Sequence, residues 1–214
     1  MELVTLITGP VEVNTYILFG KNGGECLIVD PSDTDMVAQE LEKRELKPTH
    51  ILLTHGHFDH ILSVADLQEQ YGAKVCIHEQ DAAALTGGRL SLGAMMGMGV
   101  RRCAPDMLLK GGETLDCAGF SVKVLHTPGH SKGSVCYVLG EEKLIFSGDT
   151  LFRLSVGRTD LPGGEANELY SSIAYCLFRL EGEYAVYPGH MEQTSLDYER
   201  RRNPFVNRWS PDTW

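Results

Sequence analysis

The chain has 214 residues, 43% of them hydrophobic, and a formal charge of −10. That length suits one domain over residues 1–214 that buries roughly 70% of its unfolded-state surface, and the acidic balance excludes a general nucleic-acid surface, which needs clustered Lys and Arg. No apolar window of about 18 residues and no basic-then-apolar leader is seen, so neither membrane spanning nor export is expected; six cysteines dispersed without a CxxC pair read as small core residues in a reducing, cytoplasmic compartment.

Leu3 to Thr8, Val13 to Phe19 and Glu25 to Asp30 read as successive strands, with Gly23-Gly24 in the second turn. Asp30 closes the apolar run Cys26 to Val29 just before Pro31, a common place for a turn carboxylate. Thr34 to Glu45 follows as a helix whose Met36, Val37 and Leu41, with Leu46 beyond, leave a charged outer face. Thr49 to Thr54 is then a short buried strand, broken by Gly56.

Beyond that strand, His55, His57, Asp59 and His60 place three imidazoles and a carboxylate in one short run. Neutral ring nitrogens and anionic oxygens at such density are a donor set for transition-metal ions. His55 and His57 stand two apart in extended backbone, so both lean to one side, toward one metal. Ile61, Leu62, Val64, Ala65 and Leu67 fit a helical face, which sets Asp59 and His60 at a helix start where they can aim at a second metal.

Lys74 to His78 is another short strand. Through residues 86–100 the glycines Gly87, Gly88, Gly93, Gly97 and Gly99 argue against a stable helix, each costing about 1 kcal/mol relative to Ala. Mobility is expected there, with Met95, Met96 and Met98 either covering an apolar substrate or packing onto the domain or a partner subunit. Thr114 to Asp116, Phe120 to Leu125, Ser134 to Leu139 and Lys143 to Ser147 read as a strand meander.

Three further candidate ligands follow strands: His130 after Val122 to Leu125, Asp149 after Lys143 to Ser147, and His190 after Tyr184 to Tyr187. Each stands beside a glycine that lets its loop approach a metal closely, and all are expected to converge at one sheet edge. Glu165 to Leu180 reads as a helix with Leu169, Ile173, Leu177 and Leu180 inward. A last helix begins near Ser195, with Arg200, Arg201 and Arg202 on a solvated face.

The run Thr54-His55-Gly56-His57-Phe58-Asp59-His60, followed in order by Pro128-Gly129-His130, Ser147-Gly148-Asp149 and Pro188-Gly189-His190, resembles the metallo-β-lactamase superfamily and, within it, the glyoxalase-II-like hydrolases. The likeness extends from Ile28-Val29-Asp30-Pro31 to Asn203-Pro204-Phe205. It implies an α+β fold, a four-layer αββα sandwich. It assigns His55, His57 and His130 to a first metal, Asp59, His60 and His190 to a second, and Asp149 to both, with Asp30 orienting a ligand histidine from outside. His50, His78 and His126 are left without a ligand role, His126 as a strand-end residue near the pocket.

The implied cofactor is a pair of divalent ions, zinc first, with iron or manganese also suited to the mixed His/Asp set. Two such ions roughly 3.5 to 4 Å apart share and acidify a bridging water, whose hydroxide attacks the substrate carbonyl; Asp59 orients that water and Asp149 spans the ions, so both are the catalytic candidates. No serine or cysteine nucleophile is required. Gly157-Arg158-Thr159-Asp160 resembles the segment that sets a basic residue against a thiol carrier's carboxylate, which makes Arg158 the substrate-binding candidate; an internal ion pair with Asp160 is the other reading. The implied reaction is hydrolysis of a small-molecule acyl thioester, S-lactoylglutathione or a relative, or of an ester. Two other readings stay open: a persulfide dioxygenase, similar in Gly-Arg-Thr-Asp but using one iron held by two His and one Asp, and a non-catalytic metal-stabilised scaffold or partner-binding protein.

Overall fold

Two six-stranded sheets lie face to face in the computed structural model, which describes residues 1–87, 91–93 and 97–207. In the first sheet β1 (Glu2–Thr8), β2 (Val13–Phe19) and β3 (Gly24–Val29) are antiparallel neighbours. From β3 the sheet continues in parallel through β4 (Leu46–Leu52), β5 (Lys74–His78) and β6 (Met107–Leu109). Parallel pairing needs crossovers: α1 (Thr34–Lys43) joins β3 to β4, and α2 (Phe58–Ile61) with α3 (Val64–Tyr71) joins β4 to β5.

The second sheet opens with the antiparallel meander β7 (Thr114–Cys117), β8 (Phe120–His126), β9 (Val135–Leu139) and β10 (Leu144–Gly148). A small hairpin, β11 (Leu151–Phe152) and β12 (Ser155–Val156), and the helix α4 (Ala166–Ser172) intervene before β13 (Ala185–Pro188), which pairs in parallel with β10. β14 (Thr194–Ser195) closes that edge and leads into α5 (Leu196–Arg202).

The apolar runs seen in the sequence are continuous because both faces of the central strands are covered. Tyr16, Leu18, Leu27 and Val29 point into the layer between the sheets, where they meet Val122, Tyr137 and Phe146 of the second sheet. Their neighbours Ile17, Phe19, Cys26 and Ile28 pack outward against Val37 and Leu41 of α1 and Leu67 of α3. On the other side Cys136, Val138 and Ile145 meet Leu169 of α4, Ile173, Leu177 and Leu196 of α5. The layers are therefore helix, sheet, sheet, helix, the expected αββα sandwich.

Boundaries moved where a local conformation overrode periodicity. α1 is capped by Asp33, whose Oδ1 accepts from Met36 N at 2.9 Å, and stops at Lys43 rather than Glu45 because Glu45 takes φ +54°. β4 begins at Leu46 and carries Pro48, which has no N–H for the ladder; the register with β3 slips there, Cys26 facing Pro48 but Leu27 facing His50. The helix expected over Glu165 to Leu180 is α-helical only to Ser172, then runs as a π-helical stretch from Ile173 to Leu177. The single helical face expected after His60 is two helices, α2 and α3. β6 had no signal, being three residues long.

All six cysteines are free, and Cys26, Cys76, Cys117 and Cys136 are buried, as small core residues should be. Among the described residues no helix is long and apolar enough to cross a membrane. Arg200 is not simply solvated: its guanidinium donates to the carbonyls of Phe178, Leu180 and Gly182, closing the C-terminal end of the π-helical stretch. Of the Gly/Met segment, Gly88, Met95 and Met96 lie outside the described residues.

Candidate metal centre

Four loops meet at one end of the sandwich. One leaves β4 of the first sheet with His55, His57, Asp59 and His60; the others leave β8, β10 and β13 of the second sheet with His130, Asp149 and His190. Convergence at one sheet's edge is thus corrected, because the loops come from both sheets and close over the gap between them. Hydrogen bonds stitch the closure: Val135 N donates to Thr54 O, and Asn14 N to Gly189 O, each at 2.8 Å.

His55, His57 and His130 form the first group. His130 Nε2 lies 2.8 Å from His57 Nδ1 and 3.2 Å from His55 Nε2. One shared proton can satisfy two such nitrogens but not three, whereas a tetrahedral ion bound at about 2.0–2.1 Å holds its donors roughly 3.3 Å apart. Burial keeps His55 and His57 neutral, with the nearby imidazoles adding to it: His55 is pushed well below the ordinary histidine value and His57 down to about 3.

Asp59, His60 and His190 form the second group. Asp59 Oδ2 is 3.4 Å from His60 Nε2 and 3.3 Å from His190 Nε2. Asp149 stands between the groups, its Oδ2 3.5 Å from His130 Nε2 and 3.7 Å from His190 Nε2, its Oδ1 3.5 Å from His60 Nε2. His60 Nε2 and Asp149 Oδ1 are both buried and make no hydrogen bond. Buried polar atoms without partners are rare and costly; two of them facing each other inside a His/Asp shell fit a shared cation. Gly189 is required there, since a Cβ on it would sit 2.3 Å from Asp149 Oδ1.

Outer partners set which nitrogen of each ring is bare. Asp30, held at φ +49°, accepts from Thr54 N at 2.8 Å and from Thr54 Oγ1 at 2.6 Å, and its Oδ2 is 3.0 Å from His60 Nδ1. Thr54 Oγ1 lies 3.1 Å from His55 Nδ1, so the hydroxyl can accept from His55 while donating to Asp30. His130 Nδ1 donates to the backbone carbonyl of Arg158 at 2.8 Å. In each case the remaining Nε2 is turned inward. Asp30, His55 and His60 also lie close enough to hold an ion, but Asp30's oxygens are already engaged with Thr54 and His60.

Sequence reading missed Asp81. This buried carboxylate accepts from Gly56 N at 2.9 Å, Ser131 Oγ at 2.6 Å and Gly133 N at 2.8 Å, tying the first ligand loop to the loop that carries His130. It also missed that Gly129-His130-Ser131-Lys132-Gly133 has the letter pattern of a nucleophile elbow. Ser131 Oγ bonds Asp81 and Ser134, while the ring nitrogens of the adjacent His130 face Arg158 O, His55 and His57 instead, so the match carries no chemistry. His126 ends β8 as expected but stacks on His78, ring centroids 4.1 Å apart, away from the metal cluster.

A cavity of about 440 Å³ opens beside the two groups, lined by His57, Asp59, His130, Asp149 and His190 on one side and by apolar side chains and Arg158 on the other. Arg158 reaches the cavity, yet its Nε and Nη2 each donate to Asp160 at 2.7 Å. The ion-pair reading of Arg158 is therefore met, and the cavity lining leaves its substrate contact as a proposal.

The metallo-β-lactamase superfamily profile matches residues 8–190. A probable metallo-hydrolase of Bacillus subtilis, YqgX, is 36% identical over 94% of this chain and 96% of its own length. The hydroxyacylglutathione hydrolase GloC of Haemophilus influenzae is 32% identical over 84% of this chain and 86% of its own. Among solved structures, the BLEG-1 B3 metallo-β-lactamase superposes with TM-score 0.91 at 35% identity, covering 96% of this chain and 99% of that one. TTHA1623 in a di-iron-bound form gives 0.84 at 38%, covering 96% and 100%. With its His/Asp clusters suited to metal and full-length relatives at this identity, the chain belongs to the metallo-β-lactamase superfamily.

Proposed function

We propose that the protein is a binuclear metal hydrolase of a small acyl thioester, S-lactoylglutathione or a related thioester or ester. The observation that carries the binuclear reading is Asp149, placed between the two donor groups with Oδ2 near His130 of the first and His190 of the second and Oδ1 near His60 of the second. The solved relative TTHA1623 in a di-iron-bound form and the hydroxyacylglutathione hydrolase GloC support the metal pair and the thioester respectively. Zinc is the proposed ion, since three buried imidazoles make up the first group; iron and manganese also suit the carboxylates of the second.

Bound divalent cations would supply Lewis acidity toward a carbonyl oxygen and acidify water near neutral pH. His55, His57 and His130 would hold one ion, Asp59, His60 and His190 the other, and Asp149 both. The Asp59 carboxylate borders the cavity, where it would accept a hydrogen bond from the attacking water and orient it toward the substrate carbonyl. Asp59 is suited to this as a carboxylate: burial would raise its pKa, but His60 and His190 outweigh burial and hold it below the usual range. Apolar side chains, Phe58, Phe152, Val156 and Leu161 among them, line the rest of the cavity.

Turnover of S-lactoylglutathione and a simple acyl thioester by the zinc-loaded chain, run beside oxygen uptake on glutathione persulfide, tests the reading. Thioester hydrolysis without oxygen uptake is expected. Oxygen uptake by an iron-loaded chain without hydrolysis would replace it with the dioxygenase, and neither activity in fully loaded protein would favour the scaffold.

A further inference from the structure

The cavity wall facing the metal cluster carries Val11, Phe58, Phe152, Val156, Leu161 and Met191. Val11 and Met191 are 40% and 64% exposed, so the apolar surface continues out to the rim. Exposed large apolar groups around a concave site mark where an apolar ligand part is received. A carrier with free carboxylates would need a cation at this wall. Among the described residues Arg158 is the one Lys or Arg lining it, and both its Nε and one terminal nitrogen are held by Asp160. The next arginine along, Arg153, follows the lining Phe152 and is paired with Glu192, which follows the lining Met191. Among the described residues, these two arginines thus each come with a carboxylate of their own.

We propose that this cavity receives the uncharged, apolar part of an acyl thioester, and that Asp160 sets this preference by occupying Arg158 against a carboxylate from the substrate. The inference rests on the hydrolase reading only for which bond lies at the metal cluster. A glutathione carrier would bring a carboxylate up against Asp160, and like charges brought together discriminate against a ligand. An alkyl carrier or acyl chain would bury against the apolar lining, Val11, Phe58, Phe152, Val156, Leu161 and Met191.

Calorimetric binding of two non-hydrolysable thioethers to the zinc-loaded full chain tests this: 2-(hexylthio)ethanol, which is uncharged, and S-hexylglutathione, which has the same alkyl chain. The uncharged thioether is expected to bind about tenfold more tightly. Asp160→Asn should tighten S-hexylglutathione about fivefold, as expected for freeing one exposed guanidinium, and change the uncharged ligand by less than about twofold. Adding Arg158→Gln to that variant should abolish the gain. Equal or tighter binding of S-hexylglutathione to the unmodified chain, no saturable binding of either ligand, or no gain in Asp160→Asn would overturn the proposal. Because binding is read without turnover, the expected affinities with no thioester hydrolysis would sink the hydrolase reading alone, and hydrolysis with the reversed affinities would sink this one alone.

Discussion

At Thr54 a single hydroxyl lies between Asp30 Oδ2, at 2.6 Å, and His55 Nδ1, at 3.1 Å. Thr54→Val keeps the side chain's shape and removes the hydroxyl, leaving a buried carboxylate oxygen and a ring nitrogen short of a partner. We expect a loss of about 1–3 kcal/mol in stability and a ten- to hundredfold weaker hold on metal, read by urea unfolding and by competition with a chelator. Unchanged metal affinity would show that His55 does not need this support. His60 gives a pH test. Burial would lower its pKa, but Asp59, Asp149 and Asp30 outweigh burial and raise it to about 10. Since the folded value is raised, its stabilisation of the metal-free chain is full below about pH 6.5 and is lost as pH rises through about 10. An ion at Nε2 must displace that proton, so loading the metal-free protein at pH 8 should release protons, measured by titration in buffers of different ionisation heat. Loading with no proton release would contradict it. At this scale the candidate ligands stood out because imidazoles and carboxylates so close in sequence are chemically conspicuous. Asp81 was not, because the groups it binds lie at Gly56, Ser131 and Gly133, and nothing beside it in sequence marks it.

The hairpin of β11 and β12 carries Phe152 and Val156 into the cavity wall, and a buried carboxylate from α5 braces it. Glu199 accepts from Leu154 N at 3.0 Å, Thr194 Oγ1 at 2.6 Å and Asn203 Nδ2 at 2.9 Å, while Asn203 also donates to Ser155 O at 3.0 Å. Glu199→Ala strands these donors, so we expect a loss of about 2–3 kcal/mol and a raised KM from a loosened wall, with kcat less affected. A fall in kcat alone would place Glu199 elsewhere in the account. Strands were legible at this scale wherever both faces are buried, as in β2. Helix ends were less so: Glu45's left-handed turn and the π-helical stretch from Ile173 leave no mark in apolar spacing.

Across the molecule the two sheets are fastened together most densely at the metal end. Tyr16 Oη donates to Pro188 O at 2.6 Å, Asn14 Nδ2 to Pro188 O at 3.0 Å, and Tyr137 Oη to Leu53 O at 2.7 Å. These side chains reach across the gap and hold rigid the strand ends from which the ligand loops spring. The layered architecture could be read from doubly buried strands and from the motif order, whereas the site's position over both sheets could not, because it depends on pairings such as Val135 with Thr54 that span 81 positions. The cavity wall was equally hidden, being assembled from loops and a two-residue-strand hairpin.

The central claim is that Asp149 unites two cation sites. The most direct measurement is zinc per chain by elemental mass spectrometry after saturation and desalting, for the unmodified protein and Asp149→Ala side by side. Two ions are expected in the first and almost none in the second; a single ion in the unmodified protein, or two retained without Asp149, would show that Asp149 does not join two sites.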